Sequence, residues 1–347
     1  MPPVVSPLSA EPRRIDEWRE VDEAVFKNEI VPRHRPAVLR GLVADWPAVR
    51  HARESAESID RYLRGFANGG PVDTLIMPPH VQGRLFYNDD MSGFNFSRTR
   101  SSIAEVSDKL IRYSRFENRS SLAVQSALVA DCLPGFEKEN RLAILDPSVQ
   151  PRIWLGSAVT TPAHFDESNN VACVVCGTRR FTLFPPEQIG NLYIGPLGHA
   201  PTGTPISLVS LSNPDFARFP RFREALAAAV VAELGPGDAL YIPTLWWHHV
   251  ESLARYNILV NYWWKGAIGA GRTPDSALNC LLHCLLSLKD LPAEQRAVWR
   301  NAFEYYIFGA EPERFDHIPE RVRGVLGEIS PELRKQVKAF LVNQLQR

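Results

Sequence analysis

From Val72 to about Trp264 the chain runs in short apolar and β-branched stretches separated by Gly, Pro and Asn: "TLIMPP", "RLFYNDD", "PRIWLGSAV", "NVACVVCG", "RRFTLFPP", "DALYIP", "HHVESL" and "NILVNYWW". Runs of four to eight residues at that spacing predict an all-β barrel or sandwich. Helical spacing brackets this region. "RIDEWREVDEAVFKNEIVPRHRP" predicts a helix from Ile15 to Asn28, stopped by Pro32. "AVLR" predicts a short buried strand through Val38 and Leu39, and "VRHARESAESIDRYLRGFANGG" a helix ended by Gly69-Gly70. Within the β region, Asn213 to Leu234 predicts a helix ("RFREALAAAVVAEL") closed by Gly235-Pro236-Gly237. After Gly271, "PDSALNCLLHCLLSL" is apolar almost all round, so burial in the fold or in a dimer contact is expected, and Ser330-Pro331 opens a last helix.

Composition narrows the class. At 347 residues with 45% hydrophobic content, the chain is long enough for a sizeable core, and 39 basic against 39 acidic residues leave no net charge. Nothing there steers the chain toward nucleic acid or an anionic surface. "MPPVVSPLSAEPRR" lacks an apolar run suited to a signal peptide, and no stretch approaches the roughly 20 apolar residues of a membrane span. Five cysteines without small-scaffold spacing suit reduced thiols and a cytoplasmic setting.

The candidate chemistry begins at "TTPAHFDESNN". His164 and Asp166 stand two apart and point the same way in an extended chain. Two histidines and a carboxylate on one side of an ion leave open positions, the arrangement of non-haem Fe(II) oxygenases. "GDALYIPTLWWHHVESL" offers the third ligand. His248 shares a face with Val250 and Ser252, whereas His249 shares one with Glu251, which reads as the wetter side; His248 is therefore the inward candidate. Arg179 alternates with Phe181 and Leu183, so it lies on a core-facing row and needs an anionic partner. Asn261, among Leu259 and Trp263, is a buried amide that a ligand carboxylate or metal-bound water would satisfy. Cys173 and Cys176, three apart on a strand, and Cys280, His283 and Cys284 on a helix read as core residues.

Together "TPAHFDESNN", "GTRRFTLFPPE", "GDALYIPTLWWHHVES" and "NYWW" resemble the cupin-like branch of the JmjC-type 2-oxoglutarate oxygenases, which contains the hypoxia-inducible-factor asparaginyl hydroxylase. "RPAVLRGLVADWPA" is similar to that family's N-terminal opening. The resemblance implies a double-stranded β-helix (jelly-roll) core over 35–265, preceded by a helical segment 1–34. It also implies a helical region 271–347 through which the chain forms a homodimer. It makes His164, Asp166 and His248 the Fe(II) ligands, and gives Thr161 and Arg179 the distal carboxylate of 2-oxoglutarate. Asn170 and Asn261 stand near its iron-side end, with Trp263 as an aromatic wall. The implied reaction is hydroxylation of a protein, peptide or amino-acid-like substrate.

Three departures stand out. Relatives use lysine where Arg179 stands, and a tyrosine on a strand that here carries Leu122 and Ala123. The asparaginyl hydroxylase has an Arg-Gln pair where Pro205 and Ile206 occur. The competing readings are a metal-binding cupin without oxygenase activity, and an RNA-directed hydroxylase, which the neutral charge disfavours. The Trp246-Trp247 and Trp263-Trp264 pairs are expected to divide between barrel core and helical extension, and Tyr87 to line the entrance.

Overall fold

The computed structural model describes residues 13–266, 276–309 and 312–346. The N-terminal stretch inspected for a signal peptide, up to Pro12, and the Pro274-Asp275 opening of the apolar helix lie outside them. The chain divides into two compact units, Met1–Asp275 and Ser276–Arg347. No helix among the described residues is long and apolar enough to cross a membrane.

The first unit is built on two sheets. One has five strands in the order Arg13–Arg14, Val230–Leu234, Arg179–Phe184, Trp247–Ser252, Thr160–His164. The other has ten and is centred on Ala239–Ile242, Asn169–Cys176, Asn257–Trp264 and Pro151–Gly156. The pairings within these central groups are antiparallel. Side chains from both sheets interdigitate between them: Phe181, Leu183 and Leu234 from the smaller, Ala172, Val174, Leu240, Ile242 and Leu259 from the larger. This is the jelly-roll core of a cupin.

Both sheets are also covered on their outer faces. Helices Pro47–Glu54, Ala56–Arg64 and Ile103–Tyr113 pack on the larger sheet against Val171, Cys173 and Val175. The strand Asn169–Cys176 is thus buried on both sides, which is why it reads as a continuous apolar run rather than an alternation. On the smaller sheet, Leu192, Val209, Phe222 and Ala225 cover Phe184 and Trp247.

Three sequence expectations give way to tertiary context. Within the helix expected over Ile15–Asn28, Asp16–Arg19 form a strand parallel to Ala37–Arg40, and helical turns start only at Glu23. Arg40 holds that strand: its guanidinium bonds Glu17 at 2.6 Å and Asp238 at 2.7 Å, and Asp238 accepts from Gly41 N at 3.0 Å. Of the Asn213–Leu234 helix, only Phe222–Ala228 is helical. Val230–Leu234 is a strand between Arg13–Arg14 and Arg179–Phe184, where its β-branched residues pack better than in a helix. Cys173 and Cys176 share one face, because the ladder shifts register between Val174 and Cys176. Both thiols are free and buried, as expected, and burial pushes the Cys176 thiol up to about 11.

In the second unit, helices Ala277–Leu288, Ala293–Phe303 and Pro331–Leu345 bury none of their described residues. Leu286 is 81% exposed, and Phe308, Val298 and Phe340 are exposed as well, so of the two covers expected for "ALNCLLHCLLSL", the fold and a dimer contact, the single chain does not supply the first among the described residues.

Gly177 turns the chain from the Asn169–Cys176 strand into the one carrying Arg179, at φ +77°. A Cβ there would collide with Asn257 Oδ1 and stand 2.8 Å from the Tyr256 carbonyl oxygen. Gly41, at φ +71°, has open space around it. Gly177→Ala should cost about 3 kcal/mol and Gly41→Ala about 1 kcal/mol in urea titrations. Equal costs would show that the close approach is not what demands glycine.

Candidate metal centre

Local strand geometry decides which side chains meet. Thr160–His164 pairs antiparallel with Trp247–Ser252, with His164 opposite His248 and Thr161 opposite Val250. Two residues, Pro162 and Ala163, therefore face one, His249: a β-bulge. Proline suits that point, since it has no N–H to give the ladder. The bulge changes parity. Thr161 and His164, three apart, would face opposite ways on a regular strand; here both line the same cavity. The outer edge of this strand is protected by Ile206, which bridges His164, and by Arg84, which bridges Thr160.

The ring nitrogens of the two histidines have separate duties. His164 Nδ1 is 2.9 Å from the Pro162 carbonyl, and His248 Nδ1 is 3.0 Å from the Trp246 carbonyl. A carbonyl only accepts, so each Nδ1 carries the proton and each Nε2 keeps a free lone pair. The rings lie 4.2 Å apart, tilted by 53°. Asp166 Oδ2 is 3.7 Å from His248 Nε2, and one potential ligand atom from each of His164, Asp166 and His248 lies within 4.8 Å of the others. Burial, with the neighbouring His248 adding to it, pulls the His164 pKa down to about 4, so this imidazole is neutral at physiological pH. Asp166 is aimed by Trp263, whose indole N–H donates to Oδ2 at 3.1 Å. Two nitrogens and a carboxylate, clustered and oriented, fit a divalent transition metal.

These residues line one end of a cavity of about 100 Å3 that also contains Thr161, Asn170, Arg179, Asn261 and Trp263. Arg179 is 8% exposed, and its Nε has no hydrogen-bond partner among the described residues. Desolvation alone shifts its pKa, down to about 10, so it remains a buried cation without a counter-charge. Arg180 faces out to Glu233. The cavity is small beside the roughly 300–1,000 Å3 of drug-sized sites, which suits a compact anion rather than a nucleotide.

Asn261 is satisfied differently from the expectation. Its oxygen accepts from Trp154 Nε1 at 2.8 Å, and its amide donates to Asn170 Oδ1 at 3.1 Å. The relay fixes both amide orientations and turns the Asn170 NH2, not Asn261, into the free donor of the pair. Trp154 and Gln125 both line the cavity and were missed. Trp154 alternates with Arg152 in "PRIWLG", a signal available in retrospect; Gln125 follows its strand and had none. Leu122 and Ala123, at the expected tyrosine position, pack into separate apolar clusters.

Other expectations are corrected. His249 is not on a wet face: it is 5% exposed, its Nδ1 lacks a partner among the described residues, and desolvation with the Arg84 charge lowers its pKa to about 3. Tyr87 is buried, donates to the His199 carbonyl at 2.6 Å, and does not line the cavity. Trp247 packs under the smaller sheet, and Trp264 packs on Phe26 and Tyr241.

A profile for the cupin-like domain matches residues 23–269. The chain belongs to this family, the JmjC-type cupins. Members are generally 2-oxoglutarate-dependent oxygenases. This JmjC-type cupin is 28% identical over 296 residues to human HSPB1-associated protein 1, covering 80% of the chain and 57% of that protein. It is 35% identical over 278 residues to the Arabidopsis thaliana lysine-specific demethylase JMJ31, covering 70% and 48%. It is 26% identical over 238 residues to JmjC domain-containing protein D of Dictyostelium discoideum, covering 66% and 52%. The chain thus spans about half the length of these relatives.

Two outcomes follow from the buried charges. Arg179→Met should raise the denaturation midpoint of the metal-free protein, by about 1 kcal/mol or more, because an unpaired buried cation is replaced by an apolar chain; a lowered midpoint would mean that Arg179 has a structural partner. His164 and His249 are held neutral at folded pKa values of about 4 and about 3, against 6.5 in the unfolded chain. The unfolded state takes up these protons first, so their stabilisation is complete above pH 6.5 and is lost as pH falls toward 4. In urea titrations across that window, His249→Leu should flatten the acid loss by one proton's share; an unchanged slope would rule out a neutral buried His249.

Proposed function

We propose that this JmjC-type cupin is an Fe(II)- and 2-oxoglutarate-dependent dioxygenase that hydroxylates a protein, peptide or amino-acid-like substrate. The observation that carries the reading is the buried, uncompensated Arg179 in the same cavity as the His164, Asp166 and His248 cluster. A metal-binding cupin without oxygenase activity has no need of a buried cation, and an unpaired one is costly to keep.

On this reading His164 and His248 offer Nε2 and Asp166 a carboxylate oxygen to iron, while Arg179 and Thr161 receive the distal carboxylate of the cosubstrate. Bound iron and 2-oxoglutarate supply the activation of O2, coupled to decarboxylation of the cosubstrate to succinate. The protein's own part is positional. Arg179 lies opposite Ser252, four residues along the strand from His248. That is about 13 Å of strand, a gap that an arginine side chain and a five-carbon diacid fill together. The forked guanidinium offers two parallel donors where lysine has a point charge. The carbonyls of Pro162 and Trp246 keep the imidazoles in the metal-binding tautomer, Trp263 keeps Asp166 from turning away, and Asn170 presents an N–H to the bound acid. Phe181, Val250 and Leu259 wall the cavity against water.

The names of two relatives, a lysine-specific demethylase and an HSPB1-associated protein, both refer to proteins and support a polypeptide substrate. The exposed apolar side chains of the second unit support a homodimer through those helices.

Calorimetry with Fe(II) or a redox-inert substitute should show metal binding that is lost in Asp166→Ala. 2-Oxoglutarate binding should fall by roughly a hundredfold in Arg179→Ala, the loss expected when a charge-assisted bidentate pair is removed. Succinate release should follow the same pattern, and light scattering should give the mass of two chains. Failure of the wild-type protein to bind both metal and 2-oxoglutarate would overturn the reading.

A further inference from the structure

A second hollow, of roughly 650 Å3, opens where several strands of the two sheets end, outside the metal cavity. Its rim is basic: Arg13, Arg14, Arg33 and Arg35 face only Asp16 and Glu187. In a chain with no net charge this is a local concentration. Arg33 is held in place, its Nε donating to the Glu29 carbonyl at 3.0 Å and its guanidinium 4.8 Å from the Trp18 ring centre. Arg13, Arg14 and Arg35 are exposed, and their side chains enter no ion pair or hydrogen bond among the described residues.

The floor is of another kind. Pro36 and Pro243 are buried there, and Pro185, Pro186 and Trp246 are half-buried. Prolines offer no N–H, so an occupant gains mainly packing from the floor, and its charge-assisted bonds come from the guanidinium rim. That combination fits an extended segment with carboxylates along its edge, since forked guanidiniums match carboxylates and an apolar Pro/Trp floor receives an extended backbone. Asp16 and Glu187 would repel a continuous phosphate backbone and count against a nucleic acid.

The wall between this cleft and the metal cavity is a single stretch of chain. Ile242 and His248 face the cavity; Pro243, Thr244 and Trp246 face the cleft. Trp246 joins them physically. Its indole N–H donates to the His34 carbonyl at 3.1 Å, where His34 takes a left-handed backbone (φ 48°) between Arg33 and Arg35, and its own carbonyl receives His248 Nδ1. A segment lying on Trp246 therefore rests two residues from His248, which faces the cavity.

We infer that this cleft docks an acidic, extended polypeptide segment and so presents a partner protein beside the cavity. The presenting role rests on the oxygenase reading; the binding itself needs neither iron nor cosubstrate. The test is fluorescence anisotropy of a short labelled peptide of alternating Glu and Pro, titrated with the full chain free of metal. Saturable binding is expected. It should weaken by roughly tenfold or more in the double variant Arg13→Glu with Arg35→Glu and at raised salt, and be absent for the matched Gln/Pro peptide. The double variant should melt as the wild type does and bind metal and 2-oxoglutarate undiminished, which separates loss of docking from loss of fold or of the catalytic reading. No binding by the wild type, equal binding by the charge-reversed variant, or equal binding of the Gln/Pro peptide overturns the inference. A single-stranded oligonucleotide that displaces the Glu/Pro peptide and binds more tightly overturns it in favour of a nucleic acid.

Discussion

Everything at the candidate metal centre depends on the pairing of two strands, Thr160–His164 and Trp247–Ser252, with one extra residue on the first. The antiparallel ladder sets His164 directly opposite His248, so that two residues distant in the chain share one face at the spacing of a cross-strand pair. The bulge at Pro162-Ala163 then re-aims the strand, and Thr161 reaches the same cavity as His164. The carbonyls that orient the two imidazoles belong to these same strands or their immediate approach. Ladder, bulge and tautomer are thus one arrangement, and a register slip would undo all three.

Around that arrangement the cavity is electrostatically incomplete. Burying Arg179 without a carboxylate beside it is unfavourable for the protein alone, and the neutral imidazoles of His164 and His249 add no charge that would offset it. Such a site is poised for an anion of the right length. The hydrogen-bond chain from Trp154 through Asn261 to Asn170 works in the same direction: it spends the amide groups on one another in a fixed sense and leaves one donor free. His164, His248, Asp166 and Asn261 are held by aromatic N–H groups and backbone carbonyls, groups that do not titrate.

The chain between Ile242 and His248 serves two surfaces at once. Leu245, at φ 64°, takes the strain of a tight turn and donates its N–H to the Asp166 carbonyl, while Trp246 anchors the turn to His34 on the far side. A turn pinned on both faces has little freedom to move independently of either, which ties the basic cleft to Asp166 and His248 by geometry alone.

The strands of the core were legible in the sequence because alternation and β-branching are local signals. Arg179 was legible too, since it breaks an apolar row with Phe181 and Leu183. His248 reaches the cavity, but the argument that chose it over His249 leaned on a wet outer face, and that face is wet only at its Arg180 and Glu233 end: residues 186–229 fold over the Phe184 and Trp247 end, His249 is buried, and no local pattern announces such cover. The strands at Asp16–Arg19 and Val230–Leu234 read as helix because their residues suit either state, and pairing with a distant edge settled the matter. Trp154 and Gln125 enter the cavity through contacts spanning long stretches of chain. The sequence by itself determined the sheet-rich core, the row that carries Arg179 and the residue types able to hold a metal. Only the tertiary structure decided which faces are dry, where the ladder gains a residue and what each buried polar group bonds to, because burial and register are properties of pairs of segments rather than of any one of them.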